Sequence, residues 1–427
     1  MRRLARIWPR GGLWRHGDFV RLWSGQTISQ FGSQVTFLAL PLAAILVLDA
    51  SAFEVAALSA VEWAPWLLFS LPVGALVDRL PRRPVLVLAD IGRAVALLSV
   101  PAAYAADVLT LWQLFVVGFA TGTLTVFFDV AYQSYLPSLV RRDQLGEGNS
   151  KLEVSRSGAQ IAGPGLAGVL VDAVTAPVAI LADGASFVVS ALFLGAIRRP
   201  EGKPERVAET RLGEEIVEGV RYVLKHEYLR PSMAFVAASN FFGNVLWSIF
   251  LVYAVRRLGL SPAQIGLTFS LASTGFLAGA VLSTRIAARI GVGPTLVAAA
   301  FTVGWPLLLV PLAPREYAIP VVVVALGIAE FAGVVFNVVG ISLFQAITPD
   351  RLLGRMNASR RFVVWGVVPL GSLAGGALAS AIGLRPTLVV GAVGSTLAFV
   401  PLLFSPLRGL REVPEAVPAL ATARTEG

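Results

Sequence analysis

Long apolar runs, each bounded by charge or by a proline- or glycine-bearing turn, recur along the chain. A hydrocarbon core of about 30 Å needs about 20 apolar residues of helix per crossing. Twelve runs approach or exceed that length, at 22–48, 54–76, 84–106, 110–134, 150–172, 176–197, 231–255, 263–286, 293–313, 318–344, 360–382 and 386–406. In lipid every backbone N–H and C=O must find a partner inside the segment, so such runs read as helices. The pattern predicts an all-α membrane protein with twelve transmembrane helices. The first run is too long for a removed leader and lacks a small-residue cleavage site, so it reads as helix 1.

The polar stretch 198–230 separates helices 6 and 7, and its Leu212, Ile216, Val220 and Val223 fall at helical spacing. This predicts an amphipathic helix lying on the membrane surface. The expected organisation is a six-helix bundle over 1–197, a linker over 198–230, a second six-helix bundle over 231–406 and a tail over 407–427.

Composition agrees: of 427 residues, 56% are hydrophobic and only 14% charged, which sets aside a soluble multidomain enzyme. The net charge of +9 marks topology, not nucleic acid. Arg2, Arg3, Arg6, Arg10 and Arg15 precede helix 1, and every second loop repeats the excess: Arg79, Arg82 and Arg83; Arg141 and Arg142; Arg198 through Lys225; Arg285 and Arg289; Arg351 and Arg355. The opposite loops hold Arg256, Arg257, Arg315 and Arg385, so both termini are expected in the cytoplasm. With no cysteine and two histidines, no metal site is expected. No nucleotide-binding loop and no nucleophile–base constellation is present either, so the sequence predicts no cofactor and no enzyme.

The halves resemble each other at a shift of about 208 positions. Phe128-Asp129-Val130 falls on Phe336-Asn337-Val338, and Leu145-Gly146-x-x-Asn149 on Leu353-Gly354-x-x-Asn357. Ser51-x-x-Glu54-Val55 matches Ser261-x-x-Gln264-Ile265, and Phe31-Gly32 matches Phe242-Gly243. With equal helix counts on each side of the linker, these matches point to duplication, which in transporters places the binding site at the repeat interface.

Gly74-x-Leu76-x-Asp78-Arg79-x-x-Arg82-Arg83 resembles the signature loop of the major facilitator superfamily, with Pro81 where its second glycine usually stands. Further stretches are similar to the bacterial macrolide-efflux and siderophore-exporter branch: Phe19-x-Arg21-Leu22-Trp23-x-x-Gln26-x-x-Ser29-x-x-Gly32, Leu136-Pro137 with Asn149, Gly163-Pro164-Gly165, and Asp183-x-x-Ser186-Phe187. The resemblance runs from about residue 18 to 406. It implies two pseudo-symmetric bundles alternating access to a central cavity, coupled to protons, in a bacterial cytoplasmic (inner) membrane. The implied partners are a small-molecule substrate, protons and the lipid bilayer, and the chain is expected to work as a monomer.

The resemblance assigns a conformational latch to Gly74, Asp78, Arg79, Arg82 and Arg83, with Asp129, Arg355 and Arg360 as partners. Asp78 is the matching acid, and Arg355 and Arg360 cluster near the start of helix 11, where a helix N-terminus attracts an anion. Gly163, Pro164 and Gly168 resemble the helix 5 motif of exporters in the superfamily; a proline with small neighbours also favours a kink and close helix approach. Glu62, Asp90, Asp183 and Glu330 are acids inside apolar spans and therefore functional candidates as proton carriers. Glu62 and Glu330 stand first because no basic residue neighbours them on their own helices. Asp90 has Arg93 one turn on, as an ion pair would require, and Asp183 reads as a hydrogen-bonding group between helices.

If the superfamily architecture holds, helices 1, 4, 7 and 10 line the cavity. Helix 1 offers Gln26, Gln30, Gln34 and Phe37; helix 7 offers Asn240, Asn244 and Trp247; helix 10 offers Phe331, Phe336 and Asn337. Amides among aromatics suit a bulky amphipathic molecule such as a drug, macrolide or siderophore. Export of such a molecule is the leading expectation, with a lipid or lysophospholipid flippase on the same fold as the alternative. A receptor that binds without transport ranks behind both.

Overall fold

The computed structural model of the protein describes residues 12–77, 79–199, 201 and 221–412. Among them twelve long helices follow one another. They are α1 Gly17–Leu46, α2 Ala52–Val77, α3 Arg82–Ala105, α4 Leu111–Leu139, α5 Leu145–Val174, α6 Ala176–Gly195, α7 Leu229–Tyr253, α8 Pro262–Ile290, α9 Val292–Gly304, α10 Ala318–Ile347, α11 Asp350–Ile382 and α12 Leu384–Leu397. The described residues contain no strand. α7 runs on as a π-helix over Ala254–Leu258, and two other helices are continued in pieces: α9 through a 3-10 turn at Trp305–Leu308 into Leu309–Leu312, and α12 into Val400–Leu403. Pro306 and Pro401 sit at these breaks, where the missing N–H interrupts the ladder.

Among the described residues, eleven helical spans are long and apolar enough to cross a membrane. The twelfth expected crossing, 150–172, is helical but starts inside a charged stretch. Glu147, Lys151, Glu153 and Arg156 occupy the first turns of α5, paired as Lys151–Glu147 at 3.4 Å and Arg156–Glu153 at 2.9 Å. Of the linker helix expected over 198–230, Leu212, Ile216 and Val220 lie outside the described residues. Val223 is buried with Leu229, Met233, Phe344 and Met356.

Helix starts follow local chemistry. His16 Nδ1 accepts the Phe19 N–H at 3.1 Å ahead of α1, and Thr110 Oγ1 accepts that of Gln113 at 3.3 Å ahead of α4. Before α8, Ser261 Oγ accepts the Gln264 N–H at 3.3 Å while Gln264 Oε1 accepts the Ser261 N–H at 2.9 Å. This reciprocal capping box is the physical content of the Ser-x-x-Gln half of the internal match.

The chain forms two compact units. One holds residues 12–51, 61–77, 79–199, 201 and 260–270; the other holds 52–60, 221–259 and 271–412. Thus α2 and α8 are each divided between the units. In the first unit α6 packs on α1 and α3, α5 on α1, and α4 on α3. In the second, α12 packs on α7 and α9, α11 on α7, and α10 on α9. The four pairings are the same under a shift of six helices. Each unit has its own apolar core: Leu22, Phe128 and Tyr135 anchor the first, and Phe235, Leu296 and Leu343 the second.

Candidate functional site

The second unit contains a cavity of about 300 Å³ walled by α7, α9, α10 and α11. Phe235, Phe336 and Phe344 supply its apolar surface, and Asn240, Asn337 and Arg360 its polar one. Phe235 and Phe336 pack at 4.4 Å between ring centroids. Arg360 Nη2 donates to Asn337 Oδ1 at 2.8 Å, fixing the amide at the cavity wall.

A second lobe of about 210 Å³ shares Ser239, Asn240, Val303 and Gly333 with the first and adds Asn244, Trp247 and Glu330. Asn240 and Asn244 each donate one amide N–H to a carbonyl of α7, at 2.8 Å to Val236 O and 2.8 Å to Asn240 O. That geometry holds both side chains against their own helix. Glu330 is exposed to the lobe and is the only ionisable residue in its described lining, as Arg360 is in the first lobe. One continuous surface therefore offers rings, amides, a carboxyl group and a guanidinium.

The sequence-predicted set is thus divided. Asn240, Asn244, Trp247, Phe336 and Asn337 come together, joined by Glu330 and by Arg360, which had been assigned to the latch. Phe331 instead packs on the apolar core of the second unit. The helix 1 residues belong to the first unit: Gln26 is buried, Gln30 half-buried and Phe37 exposed. Gln34 presses its side chain on α5, where a Cβ added to Gly163 would fall 2.7 Å from Gln34 Cβ.

The α5 motif also makes a close helix approach. A Cβ on Gly168 would lie 2.9 Å from Gly266 Cα in the first turns of α8, and the Gly165 N–H donates to Ser270 Oγ at 2.9 Å. The glycines let the two backbones meet.

At the predicted latch, Asp78 lies outside the described residues, as does the side chain of Arg355. Gly74 has open space around its Cα, Arg79 is exposed and Asp129 is half-buried on α4. Arg83 caps the end of α6: Nε donates to Leu194 O at 3.0 Å, and Nη2 donates to Gly195 O. Glu201 accepts the backbone N–H groups of Arg82 and Arg83 at 2.7 and 3.0 Å. Arg199 Nη1 reaches Leu139 O at 2.7 Å, and the Arg198 N–H reaches Asp18 Oδ1 at 3.2 Å. Arg198, Arg199 and Glu201 therefore staple α1, α3 and α4 at one end of the unit. Sequence reasoning missed Glu201, whose only signal is an acid in a basic linker.

The remaining acids sit in the first unit. Glu62 on α2 is half-buried beside Gly122 of α4, whose missing side chain leaves room for the Glu62 carbonyl. Asp90 and Arg93 are buried at 0% and 5% exposure and joined through Oδ1 and Nη2. The guanidinium of Arg93 lies between the rings of Phe128 and Phe187, 4.3 and 4.1 Å from their centroids, and its Nη1 points to Thr125 Oγ1 at 3.5 Å. Asp183, at 1% exposure, accepts from Ser186 Oγ at 3.0 Å and lies in the electrostatic field of both Arg93 and Asp90. It reaches α1 closely enough that a Cβ on Gly32 would sit 2.6 Å from its Oδ1.

The chain is similar to proteins of known kind over nearly all its length. It is 25% identical over 391 residues to the multidrug efflux pump Tap of Mycolicibacterium fortuitum, covering 88% of this chain and 92% of that protein. It is 22% identical over 377 residues to macrolide efflux protein A of Streptococcus pyogenes, covering 86% and 90%. Among solved structures, a bacterial homologue of the iron transporter ferroportin in its inward-facing state matches with a TM-score of 0.70 at 18% identity, over 92% of this chain and 99% of that one. The nucleoside transporter NupG matches with a TM-score of 0.71 at 12% identity, over 90% and 97%. These two likenesses establish the major facilitator fold. The transmembrane secretion effector model matches residues 13–420, and the chain belongs to that family of major facilitator transporters.

Proposed function

We propose that the protein is a proton-driven exporter of amphipathic small molecules in a bacterial cytoplasmic membrane, with both termini cytoplasmic. The observation that carries this reading is the two-lobed cavity of the second unit. Rings and amides give a wide, adaptable surface, and Glu330 is the only ionisable group among the described residues lining its lobe. Such a surface favours a large apolar body over a sugar, and the Glu330 lobe favours one that bears an amine. The named activities of the efflux relatives agree with it.

Because Glu330 faces the cavity, a protonated amine and a proton compete for one carboxyl. Export then follows from alternating exposure of that carboxyl to the two sides, with the proton gradient resetting it. The test is efflux of a panel of amine-bearing drugs, macrolides, siderophores and lysolipids from cells lacking native pumps, with and without an uncoupler. Uncoupler-sensitive efflux of the amine-bearing compounds, lost in Glu330→Gln and kept in Glu62→Gln, is the expected result. Transport of lysolipids alone would replace this reading with that of a flippase.

A further inference from the structure

The first unit contains an excess of buried negative charge. Asp90, Arg93 and Asp183 are all more than nine-tenths buried, and they bring two carboxyl groups to one guanidinium. A bare net charge in such a place is strongly disfavoured, so a balancing positive charge must be supplied.

The geometry shows where it is seated. Asp90 is bound directly to Arg93 and so is the ionised partner. Asp183 has no such bond: its neighbours are the hydroxyls of Ser186 on its own helix and Thr36 on α1. Among the described residues, Arg93 and Asp90 from α3 are the charged groups that act on it. From α4 the cluster meets Thr125 and Phe128, which carry no charge. Asp90 Oδ2 and Arg93 Nε are buried without a hydrogen-bond partner, and the Ser190 hydroxyl stands beside Asp90 without closing a bond. The cluster is therefore closed to bulk solvent and incompletely bonded.

We propose that Asp90, Arg93 and Asp183 form a proton-binding site separate from the substrate cavity, holding one exchangeable proton on Asp183 Oδ. Releasing it leaves two carboxylates facing one guanidinium between α1, α3 and α6, so the packing of these helices depends on its occupancy. That this proton is one of those exchanged during transport rests on the export reading given above.

Charge balance makes a prediction that residue identity alone does not. Removing Asp90 leaves one acid and one arginine, so Asp183 ionises and the proton is lost even though its carboxyl remains. Removing Asp90 and Arg93 together restores the need for it.

Infrared difference spectroscopy of the purified full-length protein, titrated in pH, reads the protonated-carboxyl band directly. One band present in the wild type should be absent in Asp183→Asn, absent in Asp90→Asn and present again in Asp90→Asn/Arg93→Gln. Persistence of that band in Asp90→Asn, or no band lost in Asp183→Asn, overturns the site. In proteoliposomes, Asp183→Asn should bind substrate as the wild type does but lose acceleration by an imposed pH gradient. Unaltered acceleration removes the proton from the transport cycle. Absence of transport in the wild type would fail the export reading while leaving the infrared result to stand or fall by itself.

Discussion

The carboxylate of Glu201 accepts the backbone N–H of Arg82 across 2.7 Å, tying the chain that leaves α6 to the first turn of α3. The residue before that turn is Pro81, whose side chain caps nothing. Glu201 therefore supplies from a distance what a local Ser or Asp usually supplies, and its charge also matches the positive end of the helix. Glu201→Ala should lower stability by about 1 kcal/mol, read as a fall in melting temperature of the purified protein. Glu201→Asp, too short to reach both N–H groups, should fall between the two. No difference between Ala and wild type would remove the capping role.

The meeting of Gly168 and Gly266 should be intolerant of side chains. Gly168→Val has no room toward α8 and should cost about 1–3 kcal/mol. Gly146→Ala, in the same helix with nothing within 4 Å, is the control and should be neutral or stabilising by up to about 1 kcal/mol. Equal melting temperatures for the two variants would show that the α5–α8 approach bears no load.

Trp247 gives the second lobe of the cavity its largest ring. Trp247→Ala should weaken binding of an amine-bearing amphipathic compound by about tenfold, measured by ligand-induced change in the melting curve. Trp247→Phe should recover most of the loss. A loss confined to small polar ligands would speak against an apolar role for this wall.

His226 lies between Tyr222 and Tyr228, and its Nδ1 accepts the Tyr228 N–H at 3.2 Å. Burial holds the imidazole below its ordinary value of 6.5, opposed by the nearby Glu227 carboxylate. The folded chain thus favours the neutral ring, and the unfolded chain takes up the proton first as pH falls through about 6.5. Stability from this residue is complete above that pH and declines below it. Melting temperatures at about pH 7.5 and about pH 5.5 should fall further in the wild type than in His226→Gln. Parallel losses would clear His226 of any part in acid sensitivity.

Helices were legible because hydropathy acts over whole spans: a run of twenty apolar residues has one low-energy form in lipid. The exception shows the limit of that rule. The start of α5 carries two ion pairs within its first turns, so the helix begins ahead of the apolar run, and that run alone misplaces its start. Asp90 and Arg93 were readable as a pair because three residues on a helix is a contact distance. That Asp183 joins them is a fact of the α3–α6 packing, and nothing local in the sequence encodes it. The glutamines of α1 show the converse: their spacing resembles a polar cavity wall, yet Gln26 is buried and Gln34 is packed on Gly163. Amide spacing on α7 looks the same, and there the residues do face a cavity. Periodicity fixes a shared face, and only tertiary packing decides what that face meets.

The division of α2 and α8 between the two compact units bears on experiments that cut the chain. Severing it in the stretch 202–220 separates the six-helix halves of the sequence but not the units. The N-terminal fragment would carry 52–60, which belong with the second unit, and the C-terminal fragment would carry 260–270, which belong with the first. Each fragment lacks a segment that clusters with its own unit and carries one that clusters with the other. Each is therefore expected to melt at a lower temperature alone than when the two are co-expressed.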